Sequence, residues 1–311
     1  MNILLSFDDR FVIPTKVMLK SLILNNNCPI NIYILYIDLK EDSINSIMDL
    51  QDDSRVHIEF KKIEKEAYNS FPTQNHWPLE TWIRLFAFKY LDESIERILW
   101  IDGDMIINAS IEDFYNQDFD NNTFVAIEDM IGGKEHEEHK QIGMPENKIY
   151  VNAGLLLFNL SKIRNTSYEK DIFDYVENYK GKLNYLDQDV LNGAFYNTIK
   201  AVCSDFYYNY FSCNINNENY RDLINNVKVI HYVSSQKPWL PKIDCEYVCF
   251  KLWWKYALKC GDKKLYKLSK KANWWYIFRN TQKFLHGYRR RFIKYLFGDA
   301  YTQVKNWLRH N

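Results

Sequence analysis

Short apolar runs ending in acids alternate with helical patterns along most of this chain, and that alternation limits the folds open to it. Residues 2–8 (NILLSFD) read as a buried strand, because the apolar run is brief and closes on an acid. Pro14 then opens a helix over 14–26, with Val17, Met18, Ser21 and Leu22 at helical spacing. Residues 30–38 (INIYILYID) form a β-branched and aromatic strand, followed by a helix near 41–51 and a strand near 55–63. LETWIRLFAFKYL (79–91) is helical, and RILWIDGDMII (97–107) holds two strand pieces around an acidic tripeptide. Further strands are expected at 124–129, 150–160 and 227–233, with helices at 168–179 and 187–196. Such a series builds an α/β domain whose mixed, mostly parallel sheet is flanked by helices. Asp8, Asp9, Asp38, Asp102, Glu128 and Asp129 fall at strand C-terminal ends, where open α/β sheets bind their ligands.

The zero net charge of the 311 residues hides a segregation. Residues 246–311 carry 16 basic and 3 acidic side chains, leaving 24 basic and 37 acidic ones in residues 1–245. From Lys263 to Lys294 there are 11 basic residues and no acid, interleaved with Trp274, Trp275, Phe278, Tyr288 and Phe292. The chain therefore divides into a domain over 1–245 and a basic, aromatic, helical C-terminal tail over 246–311. The aromatic interleaving points the tail toward an anionic membrane surface rather than nucleic acid. A structural cap on the acidic domain is the other reading. No apolar run reaches the roughly 18 residues of a membrane span. The first residues, MNILLSFDDRF, do not read as a secretory leader. Cys28, Cys203, Cys213, Cys245, Cys249 and Cys260 lack paired spacing and read as reduced thiols of a cytoplasmic protein. The scarcity of glycine, 10 in all, leaves no phosphate-cradling loop of the Walker or dinucleotide type.

Asp102 and Asp104 flank Gly103 directly after the apolar run ILWI. In extended backbone, residues two apart project to the same side, so the two carboxylates repel unless a cation lies between them. Oxygen ligands of this kind suit Mg²⁺ or Mn²⁺. Gly103 leaves room for a phosphate, having no side chain. A surface Asp-Gly turn is the alternative, weakened by the apolar strands on both sides.

Six segments in order then resemble glycosyltransferase family 8, whose members have the GT-A nucleotide-sugar transferase fold: SFDDRF (6–11), WIRLFAF (82–88), IDGDM (101–105), NAGLLLFNL (152–160), LDQDVLN (186–192) and HYVSSQKPW (231–239). The likeness is greatest to bacterial lipopolysaccharide and lipooligosaccharide α-galactosyl- and glucosyltransferases. It implies a retaining transfer of galactose or glucose from UDP-galactose or UDP-glucose to a glycan hydroxyl, with Mn²⁺ or Mg²⁺. Asp102, Asp104 and His231 match the metal ligands. Lys237 matches a diphosphate contact, and Ser6, Asp8 and Asp9 match the nucleoside end, where Arg10 departs from the family pattern. Arg84, Gly103, Asn152, Ala153 and Asp187 match donor-binding positions. Asp187 and Gln188 match the catalytic pair, and Asp129 an acceptor-side acid. The resemblance supplies no carboxylate nucleophile, so a same-face displacement is expected, with the leaving phosphate taking the acceptor's proton.

An acceptor anchored in lipid would place the enzyme on the inner face of the cytoplasmic membrane, held by its tail. Two other functions stay open at this point: transfer to a protein acceptor, and a silent glycan-binding module. The polar loops 130–149 and 205–220 are the expected acceptor determinants.

Overall fold

The computed structural model describes residues 1–65, 80–129, 139–179, 183–202, 207–209, 225–233, 237–240 and 248–261, with positions 265, 267 and 285 beyond them. Residues 130–138, the lysine- and aromatic-rich stretch of the tail except for three positions, and most of 205–220 lie outside the described residues.

Seven strands form the main sheet in the order β3-β2-β1-β4-β7-β6-β8. They are β1 (Asn2–Ser6), β2 (Ile30–Tyr36), β3 (Val56–Lys62), β4 (Arg97–Ile101), β6 (Phe124–Glu128), β7 (Val151–Asn159) and β8 (Ile199–Val202). The first four in sequence run parallel, as the helical crossovers between them require. β7 runs antiparallel to both β4 and β6, which makes the sheet mixed. A second, three-stranded sheet has the order β5-β10-β9, from Met105–Ile107, Val229–His231 and Tyr207–Asn209.

The two-residue pleat sorts the central strands into two cores. Ile3, Leu5, Leu99, Ile101, Val125, Ile127, Leu155 and Leu157 face one side, covered by the Val12–Asn25 helix. Leu4, Ile98, Trp100, Phe124, Ala126, Leu156 and Phe158 face the other, with Trp82, Phe86, Tyr168, Ile172, Val190 and Phe195 from the helices Glu80–Phe86, Tyr168–Asn178 and Asp187–Phe195. Both faces are covered, so these strands are apolar throughout rather than alternating with polar residues. That is why RILWI and VNAGLLLF read as continuous apolar runs.

The pairing of β6 with β7 breaks once. Ala126 opposes Leu156, but the next residue, Ile127, opposes Asn152. Residues 153–155 are therefore left out of the β6 ladder, a bulge that bends the strand and releases backbone groups for other partners.

Beyond residue 245 the Val248–Lys259 helix packs onto the body of the protein. Phe250, Leu252, Trp253, Tyr256 and Ala257 are buried with Val17, Ile106, Ile230 and Tyr232. Tyr256 Oη lies 2.9 Å from Asn25 Nδ2, which also donates to Ile107 O. Trp253 contacts Trp239 at 5.5 Å between ring centroids, and Trp239 meets Phe11 edge-on at 6.2 Å. No helix among the described residues is long and apolar enough to cross a membrane.

Trp253 is fully buried. Trp253→Ala is expected to lower stability by about 3–5 kcal/mol through cavity formation, read as a lowered urea midpoint at unchanged m-value.

Candidate active site

β4, the middle strand of the sheet, delivers Asp102 just beyond its C-terminal end, and β5 begins immediately after Asp104. The turn between them is held on both sides. Asp102 N donates to Gly154 O at 2.8 Å, and Tyr232 N donates to Asp104 O at 3.0 Å. Trp100 Nε1 donates to Asp102 Oδ1 at 2.7 Å, orienting that carboxylate. Gly103 has a different constraint from the phosphate clearance read in the sequence. A Cβ placed there would meet Thr15 Oγ1 at 2.3 Å, so the protein itself occupies the space. Thr15 is fully buried, and its hydroxyl has no hydrogen-bond partner.

β5 pairs antiparallel with β10, setting His231 opposite Met105. The imidazole Nε2 thereby comes within 3.1 Å of Asp104 Oδ1 and 3.7 Å of Asp102 Oδ2. One ligand atom from each of Asp102, Asp104 and His231 lies within 4.8 Å of the others. Two carboxylates and an imidazole converging this closely fit a divalent ion that accepts oxygen and nitrogen ligands. Gly154 lets the imidazole in, since a Cβ there would stand 2.6 Å from His231 Cε1. Lys237 Nζ pairs with Asp104 Oδ2 at 2.7 Å and also donates to Tyr232 O. Burial alone would raise the Asp104 carboxyl, but Lys237 and His231 outweigh it and hold the group well below the usual carboxylate range.

A second cluster adjoins the first through Arg84, a buried residue of the Glu80–Phe86 helix. Its Nη2 lies 3.2 Å from Asp102 Oδ1, its Nε 2.8 Å from Asp187 Oδ2, and its Nη1 donates to Ala153 O at 2.8 Å. The guanidinium also sits over the Trp100 ring, 4.3 Å from the centroid. Ala153 belongs to the β7 bulge. With β6 absent there, its N–H instead donates to Gln188 Oε1 at 3.0 Å. Gln188 Nε2 and Asn152 Nδ2 both donate to Asp129 Oδ2, at 3.0 and 3.1 Å. Asn192, one turn after Gln188, accepts from Val151 N and donates to Val151 O, locking helix to strand.

Leu186, the residue before this helix, has φ +45° although it is fully buried and not glycine. A branched side chain in that region is strained. The strained residue turns the chain so that Asp187 and Gln188 enter the helix facing Arg84 and the bulge.

Asp8, Asp9 and Ser6 lie at the end of β1 and its following turn, where the sequence places them. Asp8 receives Arg10 N at 2.8 Å and Arg10 Nε at 2.7 Å, so Arg10 folds back onto the acid it follows. Asp9 is tied to Ser43 at 2.6 Å and to Lys40 N at 3.2 Å. The Ser43 hydroxyl, with Lys40, holds Asp9 below its ordinary value against the effect of burial. Ser6 Oγ is buried without a hydrogen-bond partner. Of the expected residues, Asp102, Asp104, His231, Lys237, Arg84, Asn152, Ala153, Asp187, Gln188 and Asp129 thus gather in two joined clusters, while the expected donor residues Asp8 and Asp9 have local partners and Ser6 Oγ has none. Trp100, Thr15, Tyr150, Asp189 and Asn192 also join these clusters. Asp189 and Asn192 sit within LDQDVLN at helical spacing, the one signal that could have marked them.

Burial raises Asp187 to about 7, with Arg84 opposing and Asp102 and Asp189 adding to it. An unfolded aspartate titrates near about 3.9. Between roughly pH 4 and 7 the folded chain keeps a proton that the unfolded chain has released, so stability falls as pH rises through that window. Asp187→Asn is expected to flatten this dependence and to be the more stable protein at about pH 8 in metal-free buffer, measured by urea denaturation. Gly103→Ala is expected to cost about 1–3 kcal/mol from overpacking, and Thr15→Ala in the same chain to restore most of it, read from melting temperatures.

The glycosyl transferase family 8 model matches residues 2–242. A Haemophilus influenzae protein carrying a glycosyltransferase name is 29% identical over 207 residues, which is 66% of this chain and 62% of its own length. The chain thus spans less than two thirds of that relative. An Escherichia coli lipopolysaccharide 1,2-glucosyltransferase is 24% identical over 252 residues, 76% of this chain and 73% of its own. The galactosyltransferase LgtC, solved in complex with donor and acceptor sugar analogs, matches at a TM-score of 0.72 and 26% identity over 83% of this chain and 96% of that one. Sheet order and flanking helices are accordingly those of a GT-A transferase, and the chain belongs to glycosyl transferase family 8.

Proposed function

We propose that the protein is a retaining hexosyltransferase that moves galactose or glucose from a UDP-sugar to a hydroxyl of a lipopolysaccharide-type or other surface glycan. The observation that carries this reading is the junction at Arg84. One guanidinium joins the carboxylate–imidazole group Asp102, Asp104 and His231 to the Asp187–Gln188 helix start. A diphosphate held at the first group would leave its sugar beside the second. Relatives named for lipopolysaccharide glucosyl and galactosyl transfer support the acceptor class and keep both hexoses in play.

Mn²⁺, or Mg²⁺ in its place, held by Asp102, Asp104 and His231 would neutralise the diphosphate as it leaves. Lys237 adds a cation on the same side. Asp187, Asn152 and Ala153 would bind the sugar, with Arg84 fixing Asp187. The bond from the anomeric carbon to the phosphate oxygen breaks as the acceptor oxygen adds on the same face, and the departing phosphate takes the acceptor's proton. Gln188 stabilises the positive charge that develops on the sugar. Asp129, which already holds the amides of Asn152 and Gln188, is assigned the acceptor hydroxyl. Ser6, Asp8 and Asp9 are assigned the nucleoside, which requires Arg10 to release Asp8.

The basic tail supports a peripheral site of action on the inner face of the cytoplasmic membrane, near a lipid-linked acceptor. Because the Val248–Lys259 helix is part of the packed body, the cut that tests this belongs after residue 261 rather than 245. The shortened protein is expected to lose co-sedimentation with anionic vesicles and keep donor hydrolysis.

A panel of UDP-sugars incubated with and without Mn²⁺ tests the reaction. Hydrolysis of one hexose donor, abolished by chelation and by His231→Ala, is the expected result. Equal release with every donor, or full activity after chelation, overturns the reading. Gln188→Ala is expected to slow turnover roughly 100-fold while leaving UDP affinity unchanged.

A further inference from the structure

The two ends of the Gln188 carboxamide differ chemically, and its neighbours require one orientation. Ala153 N–H needs an acceptor, and the Asp129 carboxylate needs a donor. A third neighbour, Tyr150 Oη, lies 3.2 Å from Gln188 Nε2. A phenol carries one proton and can either donate it or accept through its lone pairs. Here that proton is committed elsewhere. Tyr150 Oη donates to Asp189 Oδ1 at 2.7 Å, and the other Asp189 oxygen accepts Tyr185 N–H at 2.8 Å. Asp189 is fully buried and Tyr150 nearly so, so water does not compete for these bonds. Burial, with Asp189 beside it, pushes the phenol well above its ordinary value, which keeps the proton in place. Tyr150 therefore presents only lone pairs to Gln188.

We propose that Tyr150 and Asp189 are positioning residues that set the orientation of the Gln188 carboxamide, Asp189 acting through the proton of Tyr150. The reversed amide would place Oε1 against both the carboxylate and the phenol oxygen, and its NH₂ against Ala153 N–H. This rests on the hexosyltransferase reading, in which Gln188 serves the reacting sugar.

Tyr150→Phe removes one acceptor and little volume. It is expected to lower kcat for donor hydrolysis by about 5-fold with KM for the UDP-sugar unchanged. Asp189→Asn is the sharper change. Its single oxygen is needed by Tyr185 N–H, so its NH₂ faces Tyr150 and turns the phenolic proton onto Gln188. A fall in kcat of about 30-fold is expected. In the double variant the misdirected proton is gone, and kcat should recover to the level of Tyr150→Phe alone. A merely structural pair would make the double variant the worst of the three, and that result, or unchanged kcat in Tyr150→Phe, overturns the proposal. The orientation is also read without turnover, from the Gln188 side-chain amide signals of ¹⁵N-glutamine-labelled protein. These should shift in Tyr150→Phe, and unmoved signals refute the assignment even if Asp189→Asn does not fold. A wild-type chain that hydrolyses no UDP-sugar but shows the shift sinks the donor reading and spares the orientation.

Discussion

Arg84 is the side chain on which the arrangement depends. A buried guanidinium is tolerated only when its charge and its donors are met. Here it is met by Asp102, Asp187, the Ala153 carbonyl and the Trp100 face. Those partners come from a strand end, a helix start, a strand bulge and a strand interior. Their relative placement is thus written into one side chain. The cost appears at Asp187, raised by burial despite the arginine, so the fold holds a carboxylate it would be more stable without. Proteins retain that kind of penalty where a ligand relieves it.

The β7 bulge does the complementary work for the backbone. In a regular ladder, Ala153 would spend its amide groups on β6, while those of Gly154 face β4. Skipping from Leu156 to Asn152 frees the Ala153 groups. Ala153 O then accepts Arg84 and Ala153 N–H binds Gln188, while Gly154 O extends the β4 ladder by accepting Asp102 N. Three parts of the site are anchored on two consecutive residues in the middle of a buried strand. Such anchors move less than a loop would.

Much of this was legible from periodicity. The strand and helix patterns through residue 196 correspond to elements of the structure, since buried apolar runs and 3.6-residue spacing survive folding unchanged. The direction of β7 was not legible, because a strand buried on both faces reads the same either way. β8 leaves no periodic signal, since Ile199–Val202 is half-buried at every position and shows no alternation. Charge alone groups the Val248–Lys259 helix with the tail, although Phe250, Trp253 and Ala257 share one helical face and are buried. The grouping of Asp102, Asp104 and His231 is legible through chemistry and motif order. The constraint on Gly103 was invisible, as it comes from Thr15 on a different element. Tyr150 was equally hidden, because a proton's direction depends on contacts that only the fold creates.

The three-residue ladder between β5 and β10 has an implication for how such chains can diverge. His231 faces the carboxylates because it is paired with Met105, one residue past Asp104. Inserting or deleting a single residue within that ladder would exchange His231 with Ile230, sending the imidazole to the opposite face. Length changes in this lineage should therefore collect in the connections outside β5 and β10, letting those segments drift while the histidine keeps its phase.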